Sequence, residues 1–283
     1  MIDSYEHILY EIDKQIPFIP SRELPQLLST IPLDVFGQLL LDVPSKFPNI
    51  KAFFPSMASD AIQDSWTGAH GIALLAQSVA FVKTLVAEYT TMTGKDLGNA
   101  IVLDYGYGWG QLIRLLYKYV PIENIYAVDP WDQSIDLCKR YGVKANLALS
   151  EYVPTSLPFE HPFDLIYAFS VFTHLSEKTT HIVLKTLRKH ILDTGVLILT
   201  IRPKECWYFH KNGAFASDML KAHDEKGFAF IPHNRLPING DITYGDTSIS
   251  LDYFSRHFPQ WKLTSVKCNS IDQYQVILFL HPV

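Results

Sequence analysis

Apolar residues recur along this chain with two different periods, and the change from one to the other falls near residue 95. Before it the spacing is helical over 5–15, 34–43 and 71–92. In the last of these, Ile72, Leu75, Ala76, Val79, Val82, Val86 and Tyr89 share one face and predict a buried stripe. Pro17, Pro20, Pro25, Pro32, Pro44, Pro48 and Pro55 cut the rest of this region into short pieces. Residues 1–95 therefore read as a helical cap rather than an independent domain.

From 96 to 283 short apolar runs alternate with helical patterns, which predicts an α/β domain whose parallel sheet carries helices on both faces. Strands are expected at 100–104, 125–129, 144–149, 163–169, 196–201, 261–268 and 274–281. Helices are expected at about 110–119, 132–141 and 177–190, the last behind Ser176 as N-cap. Only five residues, 269–273, join the final two strands. That is too short for a parallel crossover, so they form an antiparallel hairpin. Between strands five and six lies an insertion, 203–251, dense in aromatic residues and histidine, including Trp207, Phe209, His210, Phe215, His233 and Tyr244. It leaves a strand's carboxyl end, where ligands of α/β sheets bind, and with the cap it should wall a pocket.

Composition narrows the class. With 283 residues, 48% of them hydrophobic, a sizeable core is available, as one large domain with an appendage or as two domains. A net charge of -5 gives no general attraction to phosphate backbones and argues against a nucleic-acid partner. Cys138, Cys206 and Cys268 are widely separated, which suits a reducing compartment and no zinc site. The first residues lack the pattern of a signal peptide, and the apolar run 72–86, interrupted by Gln77, Ser78 and Lys83, is too short and polar to span a bilayer. A cytoplasmic protein without a membrane partner is expected.

The chemistry concentrates in Val-Leu-Asp-Tyr-Gly-Tyr-Gly-Trp-Gly, residues 102–110. A short strand ends at Asp104, Gly106, Gly108 and Gly110 follow at alternate positions, and an apolar helix pattern begins at Leu112. This is the opening of a nucleotide-binding βαβ unit. Asp129 ends the next apolar run, where a carboxylate meets the hydroxyls of a ribose. The dinucleotide fingerprint G-x-G-x-x-G is not met, because Gln111 stands where its third glycine would be. Asp104 also disfavours a pyrophosphate and suits a cationic ligand.

An acidic residue before G-x-G-x-G resembles motif I of the class I S-adenosylmethionine-dependent methyltransferases. Residues 163–170 resemble that family's fourth strand, 170–177 the segment after it, and 192–201 its turn into the fifth strand. The resemblance covers roughly 96–283 and implies a Rossmann-like methyltransferase sheet, S-adenosylmethionine as cofactor, and methyl transfer to oxygen, or nitrogen, of a small-molecule acceptor. It departs from the family at Tyr107, where a small residue is common, and at Gln111.

By that resemblance Asp104, Tyr105, Gly106, Gly108 and Gly110 contact the cofactor, Asp104 facing the amino group of its methionine moiety. Asp129 holds the ribose. Pro130 and Trp131 pack on the adenine, with ordinary core as the other reading of Trp131. Ser150 and Glu151 approach the adenine amine, where the family often has aspartate, and Phe169 and Ser170 lie under the cofactor. Trp66 either closes over the methionine end or is structural. His174, four residues past the fourth strand, is the foremost general-base candidate, with His210 and His233 as rivals and a merely loop-bonding histidine as the alternative. No metal is expected, since Asp164 lies at the wrong end of its strand and Glu177 stands alone. A nicotinamide-dependent oxidoreductase and a non-catalytic cofactor-binding member remain as competing functions; Gln111 and the terminal hairpin weigh against the first.

Overall fold

The computed structural model describes residues 2–283, which form two compact units, 1–149 and 150–283. The boundary differs from the change in period near residue 95, because the N-terminal helices pack against the helix 113–116 and the cluster around Trp109 and Leu137.

In the first unit, α1 (Glu6–Gln15), α2 (Leu24–Leu28), α3 (Leu33–Leu41), α4 (Pro48–Phe53), α5 (Asp60–Thr67) and α6 (Gly71–Thr93) precede β1 (Val102–Tyr105), α7 (Ile113–Leu116), β2 (Ile125–Asp129), α8 (Asp132–Arg140) and β3 (Asn146–Leu149). The strands are parallel in the order β3-β2-β1, with Val102 beside Ile125 and Tyr126 beside Asn146. Gly37 of α3 lets α6 approach closely, since a Cβ there would lie 2.8 Å from a Leu75 methyl. Two buried cations tie the helical segment to the region around α7. Lys118 Nζ donates to the Leu28 carbonyl at 2.6 Å, and the Arg114 guanidinium donates to the Ser56 carbonyl and lies over the Trp109 ring. Burial pushes the Arg114 pKa down to about 10.

Two expectations for α6 change. Val79, Val82 and Tyr89 of the expected stripe are buried, but Leu74, Ser78, Phe81 and Leu85 complete the buried face, whereas Ile72 and Ala76 are exposed. A helix apolar nearly all round has no periodicity sharp enough to choose its inward face. At 23 residues, with a window hydropathy of 1.4, α6 is also long and apolar enough to cross a membrane by length and composition alone. Helix α7 is only four residues, shorter than the expected 110–119, because turns about Gly110 and Lys118 occupy its flanks.

The second unit runs β4 (Phe163–Ala168), α9 (Glu177–Lys189), β5 (Ile191–Ile201), α10 (Ala216–Lys226), β6 (Phe228–Pro232), β7 (Gly245–Ile249), α11 (Leu251–His257), β8 (Trp261–Cys268) and β9 (Val276–Pro282). β4 and β5 are parallel, and β9 then β8 extend that sheet antiparallel, which is the expected terminal hairpin. Ser176 caps α9 by accepting from the Thr179 N–H. β5 begins at Ile191, earlier than 196, and absorbs the expected turn as a register shift opposite Phe163 and Leu165. The insertion is an element-bearing subdomain: α10 ends at Gly227, φ +80°, and leads into a separate two-stranded sheet of β6 and β7.

Candidate active site

In the first unit the backbone turns sharply after β1. Gly106, Gly108 and Gly110 have φ of 89°, 55° and 80°, a region that side-chain-bearing residues rarely occupy. The Gly106 N–H donates to the Val128 carbonyl, fastening the loop to β2. At the end of β2 the two Asp129 oxygens accept from the Gly108 N–H at 3.0 Å and the Trp131 N–H at 2.9 Å. Burial raises the Asp129 pKa above the ordinary carboxylate value, and these two N–H groups partly oppose it. A carboxylate oriented this way keeps further lone pairs for a diol.

Trp66, at the end of α5, packs its ring 3.4 Å from the point where a Cβ on Gly108 would sit and stacks on Trp131, with centroids 4.6 Å apart. It also touches the buried cluster of Ala58, Leu74, Trp109 and Leu137, so it is anchored as well as facing the loop. Asp104, Tyr105 and Tyr107 are buried, and burial pushes both tyrosine hydroxyls up in pKa. Pro130 is half-buried and Trp131 partly exposed.

The second unit gathers all three histidine candidates around one carboxylate absent from the sequence-based candidates. Asp246, buried on β7, accepts from Arg202 Nη1 at 2.9 Å through one oxygen. Its other oxygen accepts from His233 Nε2 at 2.7 Å and lies 3.8 Å from His210 Nε2. Burial alone would raise the Asp246 pKa, but the hydrogen bonds from His233 and Arg202 hold it below the usual carboxylate value. His174 donates from Nδ1 to the Gly245 carbonyl at 2.7 Å, and Arg202 Nη2 donates to its Nε2 at 3.3 Å. Both of its nitrogens are thus engaged in the neutral ring, and burial, then the Arg202 charge, push its pKa down to about 4. The ring stacks on Tyr244 at 5.0 Å. His233 differs: its side chain is 37% exposed, and Nδ1 has no hydrogen-bond partner among the described residues. His210 Nε2 is buried without a hydrogen bond, and burial lowers that ring's pKa.

Beside this cluster, Ser170 ends the β4 segment with φ 59°, a strained value for serine. Its N–H donates to Thr200 Oγ1 at 2.7 Å and its hydroxyl accepts from Gln275 Nε2 at 3.1 Å. Phe169 before it is half-buried; Ser150 has a buried hydroxyl without a partner, and Glu151 is exposed. No cluster of three or more metal-ligating side chains occurs among the described residues.

A strand, glycine turn and helix with a carboxylate ending the neighbouring strand, in a chain whose last strands form an antiparallel hairpin, define the class I methyltransferase fold. The comparisons agree. Residues 102–195 match the family model described as a methyltransferase domain. An S-adenosylmethionine-dependent methyltransferase of Clostridium acetobutylicum ATCC 824 matches with a TM-score of 0.51 at 15% identity, over 78% of this chain and 96% of that one. A magnesium protoporphyrin IX methyltransferase of Synechocystis PCC 6803, crystallised with bound SAH, matches with a TM-score of 0.51 at 14% identity, over 88% and 99%. No curated protein matches the sequence. Residues 102–195 thus carry a methyltransferase domain, and the fold is that of the S-adenosylmethionine-dependent class I methyltransferases.

Proposed function

We propose that this chain transfers a methyl group to oxygen, or nitrogen, of a small-molecule acceptor, with residues 1–95 as a cap and 203–251 contributing to the acceptor pocket. The observation that carries the reading is the pairing of Asp129 with the Gly108 and Trp131 N–H groups beside three glycines of positive φ. These residues fit the cofactor. The glycines leave room for a ligand against the backbone, Asp129 offers acceptors to the ribose hydroxyls, and the buried Asp104 suits the cationic methionine end. By the family resemblance Trp66 closes over the methionine end, Pro130 and Trp131 pack on the adenine, and Ser150, Glu151, Phe169 and Ser170 complete the cofactor set.

Bound S-adenosylmethionine supplies a sulfonium-activated methyl group whose carbon–sulfur bond breaks as the new bond forms. The chain's own residues align the acceptor, exclude water and take its proton. His233 suits that last task better than His174. It has a free Nδ1 and a carboxylate orienting its other nitrogen, whereas His174 would have to give up the Arg202 hydrogen bond to accept a proton. His210 is the remaining rival. Three free cysteines support a cytoplasmic setting.

Calorimetry with S-adenosylhomocysteine and with NAD tests the reading. Micromolar binding of the homocysteine product and none of NAD is expected, and Asp129→Ala should abolish the signal. Micromolar NAD binding with no response to the product would sink the proposal.

A further inference from the structure

We propose that helix α5 gates the cofactor groove, with Trp66 as its bolt: the stack of Trp66 on Trp131 shuts the groove in the free protein and must part before a nucleoside enters. This rests on the cofactor assignment above. Three contacts carry it, all within the first unit. A Cβ on Gly108 would lie 3.4 and 3.5 Å from atoms of the Trp66 ring, so the space that this glycine leaves is filled by the indole. The same indole stacks on Trp131, with centroids 4.6 Å apart and 21° between the planes. Gly108 and Trp131 are also the two residues whose N–H groups hold the Asp129 oxygens. Trp66 therefore covers both flanks of the carboxylate assigned to the ribose, and Asp129 is only 8% exposed.

The spacing makes the stack a closed state. A ring seated between two others needs about 3.5 Å on each side, so about 7 Å between the outer pair. The 4.6 Å between the two indoles admits none. Adenine on that face of Trp131 and a ligand lying against Gly108 both require Trp66 to withdraw.

Helix α5 is built to move. Its eight residues bury one side chain, Gln63, while Ile62 and Trp66 meet the cluster of Leu74 and Trp109 as partly buried neighbours. Few buried apolar contacts put a helix at the low end of local stability. Behind it Gly68 and Gly71 have φ of 76° and 56°, and a Cβ on either would meet nothing within 4 Å. A linker with two such glycines in open space can turn without a clash. The links across it are polar: the Gly71 N–H donates to Gln63 Oε1 at 3.1 Å, and His70 pairs with Asp64 at 2.8 Å, both side chains about half exposed. Exposed pairs hold weakly. A swing about these glycines frees Gly108 and Trp131 together, and leaves Trp66 ready to close over the methionine end.

The test uses the full chain with S-adenosylhomocysteine as probe. Stacked indoles couple their electronic transitions and give a paired band of opposite signs in circular dichroism. The free protein should show that band, Trp66→Ala should lack it, and saturating S-adenosylhomocysteine should abolish it in the wild type. In stopped-flow fluorescence the probe should associate about tenfold faster with Trp66→Ala, because an open state of about 10% scales the apparent association rate by that fraction. Trp66→Leu keeps apolar bulk against Leu74 and Trp109, should show the same acceleration, and guards against a variant that fails to fold. A merely structural tryptophan would leave association unchanged or slow it. A free protein without the paired band, a band that survives saturation, or association accelerated by neither substitution overturns the inference. Binding to Trp66→Leu but not to the wild type supports it, as a gate fully shut. Failure of both to bind the probe overturns the cofactor assignment first and this inference with it.

Discussion

At the scale of single residues, two carboxylates organise this protein, and only one is visible without the structure. Asp129 ends an apolar run directly after a glycine loop, a local pattern that announces itself. Asp246 lies in a stretch with no such pattern, and its partners Arg202 and His233 stand 44 and 13 residues earlier. The three histidines were legible as candidates, but their convergence on one carboxylate was not, because it depends on β7 reaching the segment after β4. Asp129→Asn should weaken binding of S-adenosylhomocysteine about 10- to 100-fold in calorimetry, the magnitude of a lost charged hydrogen bond. His174 should titrate near 4 by NMR. A histidine whose folded pKa lies below its unfolded value adds stability above the unfolded value, near 6.5, and loses it as pH falls toward the folded one. Acid unfolding followed between pH 6.5 and 4 should therefore steepen with His174 present and flatten in His174→Gln.

At the scale of elements, the sequence was most informative where burial is one-sided or complete. β2 and β8 match their expected limits, and the Ser176 cap sets the start of α9. The inward face of α6 is legible only in part, at Val79, Val82 and Tyr89, because the helix is apolar on several sides. The β6–β7 hairpin went unseen because twelve residues, 233–244, separate its strands instead of a tight turn. That hairpin depends on Gly245, where a methyl group would collide with the Ile231 carbonyl and lie 2.6 Å from the Phe230 ring. Gly245→Ala should destabilise the fold by about 3 kcal/mol, read by scanning calorimetry. In the first unit, Gly110→Ala meets both a positive φ and Val143 and Cys138 at 3.0–3.1 Å, so a drop of several degrees in Tm is expected.

At the scale of the whole molecule, a ligand that binds only the folded chain raises its stability by mass action. At a hundredfold excess over its dissociation constant, S-adenosylhomocysteine should add about 2.7 kcal/mol and raise Tm by several degrees, while NAD at equal concentration should leave it unchanged. Sequence alone determined the class of fold and the family resemblance, because alternating strand and helix periods, glycines at positive-φ turns and a carboxylate ending a strand are local consequences of backbone geometry and burial. Tertiary structure decided where the chain divides, which face of α6 is buried, and which histidine keeps a free nitrogen. Each of these depends on groups far apart in the chain meeting in one place, and the energies that choose among them belong to packing and desolvation, which no local pattern encodes.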